Sequence, residues 1–166
     1  MLVRRERRGE RYGVHGLHRA AFGRVVEADL VDALRRGKSW VQELSFVGFV
    51  GGDLAGHVVA SRAWVDGVPV LGLGPLGVLP RFQGRGVGTA LMHTVLGAAD
   101  ALGEPLVGLL GDPGFYGRFG FRPAADYAVL PAEAAWGRHF QVRELAGYDP
   151  GIRGGFEYAQ EFSAVS

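Results

Sequence analysis

Three glycines at alternate positions, Gly84, Gly86 and Gly88, sit where one residue pattern gives way to another. Before them, Val68 to Leu79 is an apolar, β-branched run that ends at Pro80. After them, Val87, Leu91, Val95, Ala98 and Leu102 fall at helical spacing, one continuous stripe that Gly103 is placed to stop. A strand that turns through glycines straight into a helix leaves the first helical N–H groups without carbonyl partners, and the helix dipole adds partial positive charge there. Without a Cβ, glycine lets a ligand approach the backbone closely. The product is a seat for an anion, most simply a pyrophosphate. The same glycines could serve only tight packing, but three in a first turn weaken the helix unless something is gained in return.

A second glycine pattern lies just upstream. Gly72-Leu73-Gly74-Pro75-Leu76-Gly77 has the G-x-G-x-x-G spacing of dinucleotide-binding turns. It falls inside a strand, and Pro80 prevents a helix from starting at Gly77, so the context that gives the motif its meaning is missing. Gly74-Pro75 instead marks a bulge or splay, because proline cannot donate to the ladder. Downstream, Asp112 and Pro113 have the character of an N-cap and first helical residue, opening a short helix through Tyr116 that Gly120 closes. Tyr116 offers a phenol for hydrogen bonding, or a ring for the core of that helix.

The elements that must hold these residues are legible by period. Leu2 to Glu6 reads as a strand, Arg11 to Phe22 as a helix, and Val25 to Leu34 as an amphipathic helix stopped by Gly37. Trp40 to Val50, Leu54 to Val65 and Val68 to Leu79 are strands joined by Gly51-Gly52-Asp53 and by Asp66-Gly67, the latter a type I′ signal. Pro105 to Leu110 is a short buried strand, so strand, long helix and strand make a βαβ unit. Phe121 to Leu130, His139 to Leu145 and an edge strand at Phe156 to Phe162 are expected to follow. The fold class is α+β: one domain over 1–166 with a central, mostly antiparallel, splayed sheet and one βαβ unit.

Composition narrows the function. At 166 residues the chain needs no staple, and with no cysteine it has no disulfide, thiolate metal site or cysteine nucleophile. Eighteen basic against 17 acidic residues leave +1, which speaks against a general nucleic-acid or anionic-membrane partner. Met1 to Arg8 lacks a signal-peptide core, and no segment has the length of a membrane span, so a cytoplasmic protein is expected. The five histidines show no metal-ligand spacing with a carboxylate, and no metal is expected. Glycine is the outlier, 28 residues or about 17% against an average near 7%, yet 48% of the chain is apolar and no stretch is low-complexity.

Val78-Leu79-Pro80 followed by Gln83-Gly84-Arg85-Gly86-Val87-Gly88 resembles the acetyl-CoA signature [QR]-x-x-G-x-[GA] of the GNAT superfamily of N-acetyltransferases. Tyr116-Gly117-Arg118-Phe119-Gly120-Phe121 resembles that superfamily's Y-x-x-x-G-F element, and the run from Gly111 to Pro123 looks like a bacterial branch with undefined substrates. The order of elements agrees from Leu2 to about Leu145. By position, the resemblance implies pantetheine contacts at the backbone of Leu76, Gly77 and Val78. It implies a pyrophosphate loop of Gln83, Gly84, Arg85, Gly86, Val87, Gly88 and Thr89, with Arg81 and Arg85 in reach of phosphates. Tyr116 matches the tyrosine placed beside the thioester sulfur as general acid.

The implied reaction moves an acetyl group from acetyl-CoA to a primary amine, of a small molecule or a peptide, by direct attack in a ternary complex. The competing reading is a non-catalytic acyl-CoA-binding or regulatory domain; a nucleotide-binding module lacks its P-loop lysine. One departure matters: relatives often carry a glutamate base early in the strand before the glycines, whereas Val70-Leu71-Gly72-Leu73-Gly74 has no ionisable group. Glu43, His57 and Asp66 are the nearby alternatives, each with a structural explanation of its own. Trp40, Trp64, Trp136 and Tyr127 could line an acceptor pocket or belong to the core. The apolar C-terminal strand could pair across a homodimer edge.

Overall fold

The computed structural model describes residues 1–164. β1 (Leu2–Arg5) leads through a single 3-10 turn into α1 (Arg11–Phe22) and α2 (Val26–Arg36). Gly23 closes α1 in the left-handed region at φ +69°, its N–H bonded to the Arg19 carbonyl at 3.0 Å. β2 (Ser45–Val50), β3 (Asp53–Val65) and β4 (Val68–Val78) form the expected antiparallel meander, and Asp66 and Gly67 take the positive φ values, +48° and +80°, of a type I′ turn. The first part of the segment read as a strand from Trp40 is a 3-10 turn, Gln42–Leu44.

α3 (Val87–Ala101) then crosses the sheet to β5 (Leu106–Leu110), which lies parallel to β4. The strand order is β1-β2-β3-β4-β5-β8-β6, where β6 is Arg122–Pro123 and β8 is Phe140–Glu144. Alternation along the strands feeds two cores. Leu71, Leu73, Val107 and Leu109 pack with Leu91, Met92 and Val95 of α3. Val65, Val70 and Leu106 point the other way and pack with Phe140 and Phe156. Full burial of Leu91, Met92 and Val95 contributes roughly 1.5–3 kcal/mol each, which is what fixes α3, and hence its N-terminus, against the sheet.

Two strand expectations are corrected. Phe121 to Leu130 is not one strand: after β6 comes a 3-10 turn at Ala124–Tyr127, then β7 (Val129–Leu130). Pro123 cannot donate to a ladder, and Ala128 adopts φ +55°, which turns the chain. The strand expected at Phe156 to Phe162 is instead β9 (Gly154–Glu157), and the chain leaves the sheet at Tyr158 before α5 (Glu161–Ala164). β9 is no free edge, being paired with β3 on one side and β7 on the other.

Candidate active site

β4 and β5 are hydrogen-bonded partners only at Leu71–Val107 and Gly72–Gly108, and beyond these pairs the strands part. On the other side of β4, Leu73 faces Ala60 and Leu76 faces Val58, so Gly74 and Pro75 stand together opposite Val59. The bulge expected at Gly74-Pro75 is therefore present, and it lies where the notch between β4 and β5 opens. From Leu73 to Val78, β4 has no strand partner on its β5 side, so alternate backbone groups there are free to pair with an extended ligand.

α4 (Pro113–Tyr116) approaches the start of α3, where a Cβ on Gly88 would stand 3.7 Å from Phe115 Cζ. Beyond β4, Gly84 and Gly86 adopt φ +72° and +84°, conformations that favour glycine, and Gly86 is the N-cap of α3. The first helical bond runs from the Ala90 N–H to the Gly86 carbonyl at 3.0 Å, so the N–H groups of Val87, Gly88 and Thr89 have no partner within the helix. These groups open on a cleft of about 600 Å³. Of the ten residues expected to hold the cofactor, eight line this cleft, and Gly77 and Arg85 do not. The Gln83 amide donates to the Val78 carbonyl at 3.1 Å, fastening the loop to the end of β4. Phe82, Phe115 and Arg118 complete the lining. The guanidinium groups of Arg81 and Arg85 lie over the Phe82 ring at 4.7 and 5.5 Å, and that of Arg118 over Phe115 at 4.7 Å. Arg118 in the cleft wall, Arg81 and Arg85 against the lining ring of Phe82, and an unpaired helix N-terminus together favour a polyanionic ligand.

Asp112 caps α4 as its sequence suggests, its carboxylate accepting the Gly114 N–H at 3.0 Å. Tyr116 is half-buried and packs edge-on against Phe115 and Phe121, at ring distances of 4.9 and 6.0 Å. It is not among the cleft-lining residues, although Phe115 and Arg118 on either side of it are. Burial pushes its phenol up to about 12. Proton transfer from such a phenol to a thiolate of ordinary pKa ~8.5 is uphill by roughly 5 kcal/mol. Tyr116 can thus hydrogen-bond to a thiolate but not hand over its proton without help.

No local spacing announced a buried polar chain under β4. Ser45 donates to Glu6 Oε1 at 2.6 Å, which directs the His57 Nε2 hydrogen to Ser45 Oγ at 2.8 Å. His57 Nδ1 is then an acceptor, and His18 Nε2 supplies the hydrogen, also at 2.8 Å. Arg35 Nη1 closes the far end on Glu6 Oε2 at 2.7 Å. This assignment leaves His18 Nδ1 as a bare, buried acceptor. It faces Gly77, where a Cβ would stand 2.6 Å from it, so Gly77 makes room for a histidine. Desolvation, then repulsion between the rings, pushes His18 down to about 3, and desolvation lowers His57 despite the Glu6 carboxylate. Desolvation would raise Glu6, but the hydrogen bond from Ser45, the His57 Nε2 edge 3.2 Å from Oε1 and the charge of Arg35 outweigh it and hold the carboxyl down at about 2. The one sequence signal was His57 itself, a polar residue inside an apolar strand.

None of the three candidate bases lines the cleft. Glu43 is exposed in a 3-10 turn, Asp66 forms the hairpin, and His57 is sealed in the polar chain. Trp136 and Tyr127 pack on the second core, and Trp40 lies beneath the Arg35 guanidinium at 4.7 Å.

The model of the acetyltransferase (GNAT) family matches residues 11–121. The chain belongs to that family. It is 31% identical to the uncharacterized N-acetyltransferase YhbS of Escherichia coli, over 98% of this chain and 99% of YhbS. It is 37% identical to the uncharacterized N-acetyltransferase YjhQ of the same organism over 68% of this chain, spanning 64% of YjhQ. Among solved structures, YhbS in complex with CoA superposes with a TM-score of 0.90 at 32% identity, covering 98% of this chain and 91% of the other. A GNAT acetyltransferase from Brucella melitensis in complex with acetyl-CoA gives 0.80 at 30% identity, covering 97% of each. The α+β class expected from the sequence is that of these neighbours. Among the described residues no helix is long and apolar enough to cross a membrane.

Proposed function

We propose that this GNAT-family chain transfers an acetyl group from acetyl-CoA to a primary amine by direct attack in a ternary complex. The observation that carries the reading is the cleft itself: unpartnered N–H groups at the start of α3, flanked by arginines and continuous with the open edge of β4. In this reading the pyrophosphate lies on the Gln83–Thr89 loop, and the pantetheine arm runs antiparallel to β4 past Val78, Gly77 and Leu76. Binding of CoA by the YhbS structure and of acetyl-CoA by the Brucella structure supports it. A backbone N–H freed at the bulge polarises the thioester carbonyl and holds the oxyanion of the tetrahedral intermediate. The amine nitrogen bonds to the carbonyl carbon, the C–S bond breaks, Tyr116 stabilises the departing thiolate by hydrogen bonding, and the proton lost from the amine nitrogen passes through solvent to that thiolate, leaving neutral amide and CoA thiol.

A second reading, acyl-CoA binding without chemistry, is favoured by one observation: Val70 to Gly74 carries no base and none of the nearby candidates lines the cleft. Free thiol released from acetyl-CoA in the presence of a panel of primary amines, with acetylated products identified by mass spectrometry, separates the two. Acetylated amine is the expected result. Tight CoA binding with no product from any amine would favour the binding domain.

A further inference from the structure

The notch between β4 and β5 narrows to Gly72 and Gly108, the last paired residues, and both are covered by aromatic rings from the C-terminal segment. A Cβ on Gly72 would stand 2.8 Å from Cδ1 and Cε1 of Tyr158, and one on Gly108 would stand 2.6 Å from Cε2 of Phe156. Only glycine admits rings this close to the backbone. Gly72 and Gly108 alternate with Leu71, Leu73, Val107 and Leu109, which face α3, so the two rings lie on the opposite face of the sheet.

Tyr158 reaches across the notch. Its hydroxyl lies close to the backbone of Leu110, two residues beyond Gly108 on β5. The Gly111 N–H is given to the carbonyl of His139, the residue before β8, and alternation along a strand turns the Leu110 N–H the other way, toward β4. One end of Tyr158 thus rests on β4 and the other reaches β5. The ring is fixed from three further directions: stacked on Phe162 at 4.2 Å, and edge-on to Phe156 at 5.0 Å and Trp136 at 5.8 Å. Tyr116 packs on the α3 side of the same notch, near enough for the two phenols to interact electrostatically.

We propose that Tyr158 is the specificity-determining wall that limits the acyl chain of the thioester to acetyl or little more. The inference rests on the acetyl-CoA reading above. A pantetheine arm extends about 15 Å from phosphate to sulfur, and β4 from Val78 to Leu73 spans roughly 16 Å. A pyrophosphate on the loop therefore brings the sulfur level with Leu73, and the acyl group points at the apex at Gly72. Straight ahead, β4 and β5 are hydrogen-bonded and leave no gap. The α3 face is filled by Leu71, Leu73 and Leu109. The remaining exit is the face that Tyr158 covers. An acetyl methyl stops short of the ring; a chain several carbons longer runs into it, and a ring seated on so many sides cannot swing away without disrupting its neighbours.

Calorimetric titration with acetyl-CoA, butyryl-CoA and hexanoyl-CoA tests this without knowledge of the acceptor. The wild-type chain should bind hexanoyl-CoA about tenfold or more weaker than acetyl-CoA. Tyr158→Ala should shrink that ratio at least about fivefold, while Tyr158→Phe keeps it, since the ring and not the hydroxyl is the wall. Thermal melting identifies a folded variant; should Tyr158→Ala fail to fold, Tyr158→Leu keeps apolar packing with a shorter side chain and should shift the ratio the same way. Equal wild-type affinity for acetyl-CoA and hexanoyl-CoA overturns the proposal, as does an unchanged ratio in a folded Ala or Leu variant. Failure to bind any of the three thioesters is a different result, one that overturns the acetyl-CoA reading itself.

Discussion

Acidification should destabilise this protein before its surface carboxylates titrate, and His18 is the reason. An unfolded histidine takes up a proton near pH 6.5, but His18 in the fold is held down at about 3 by desolvation and by its neighbour His57. A group whose folded pKa is depressed contributes full stability above its unfolded pKa, and this is lost as pH falls toward the folded value, because only the unfolded chain binds the proton. Between pH 7.5 and 4.5 the loss from His18 alone is about 3 kcal/mol, a large share of the ~5–15 kcal/mol that holds a domain together. His57 adds to the loss with the same sign. Glu6, held at about 2, contributes stability above pH 4.5 that is lost only below it. Urea unfolding followed by circular dichroism at pH 7.5, 6.0 and 4.5 measures the drop. In His18→Gln, whose amide can still donate to His57 but does not titrate, the drop between the extremes should be smaller by about 2–3 kcal/mol. Parallel pH dependences in the two proteins would refute the argument, since they would mean that His18 is not held neutral by the fold.

Two further outcomes bear on the chemistry. Tyr116→Phe should lower turnover at least about tenfold while changing acetyl-CoA affinity by less than about twofold, because charge on the sulfur develops only in the transition state; steady-state rates beside calorimetric affinities make the comparison, and a loss confined to affinity would assign Tyr116 to packing. With none of Glu43, His57 and Asp66 lining the cleft, the acceptor is expected to arrive neutral or to lose its proton along a water chain, and an amine of pKa ~8 is neutral several hundred times more often at pH 7.4 than one of ~10.4. Rates measured from pH 6 to 9 should rise up to each acceptor's own pKa, and a plateau at one lower pKa shared by all acceptors, abolished in a Glu43 or His57 variant, would reveal an enzymic base.

What the sequence made legible was whatever depends on near neighbours. The bounds of α1, the Asp112 cap, the Asp66-Gly67 turn and the glycine junction before α3 follow from residues within a few positions of one another, and each is found where expected. The bulge at Gly74-Pro75 was readable because proline's missing N–H is a local fact. The segment from Phe121 to Leu130 was misread because its apolar residues mimic a strand, whereas Pro123 and the left-handed Ala128 break the ladder. The chain from Glu6 through Ser45 and His57 to His18 was invisible for a different reason: Ser45 and His18 each lie 39 residues from one of their partners. Tyr158 was likewise hidden, since nothing in Phe156 to Phe162 shows that the chain leaves the sheet to lie over Gly72.

Calorimetric titration of CoA into the wild-type chain and Gly86→Val tests the central claim most directly, that the junction before α3 holds the pyrophosphate. Gly86 sits at φ +84°, so valine there costs roughly 1–2 kcal/mol of backbone strain, which a domain of ordinary stability survives. Gly86 lines the cleft, so a branched side chain there would also take up room beside the open N–H groups of Val87, Gly88 and Thr89. The account predicts CoA binding by the wild-type chain and affinity at least about tenfold weaker in a variant that circular dichroism shows to be folded. Unchanged CoA affinity in the folded variant would contradict it.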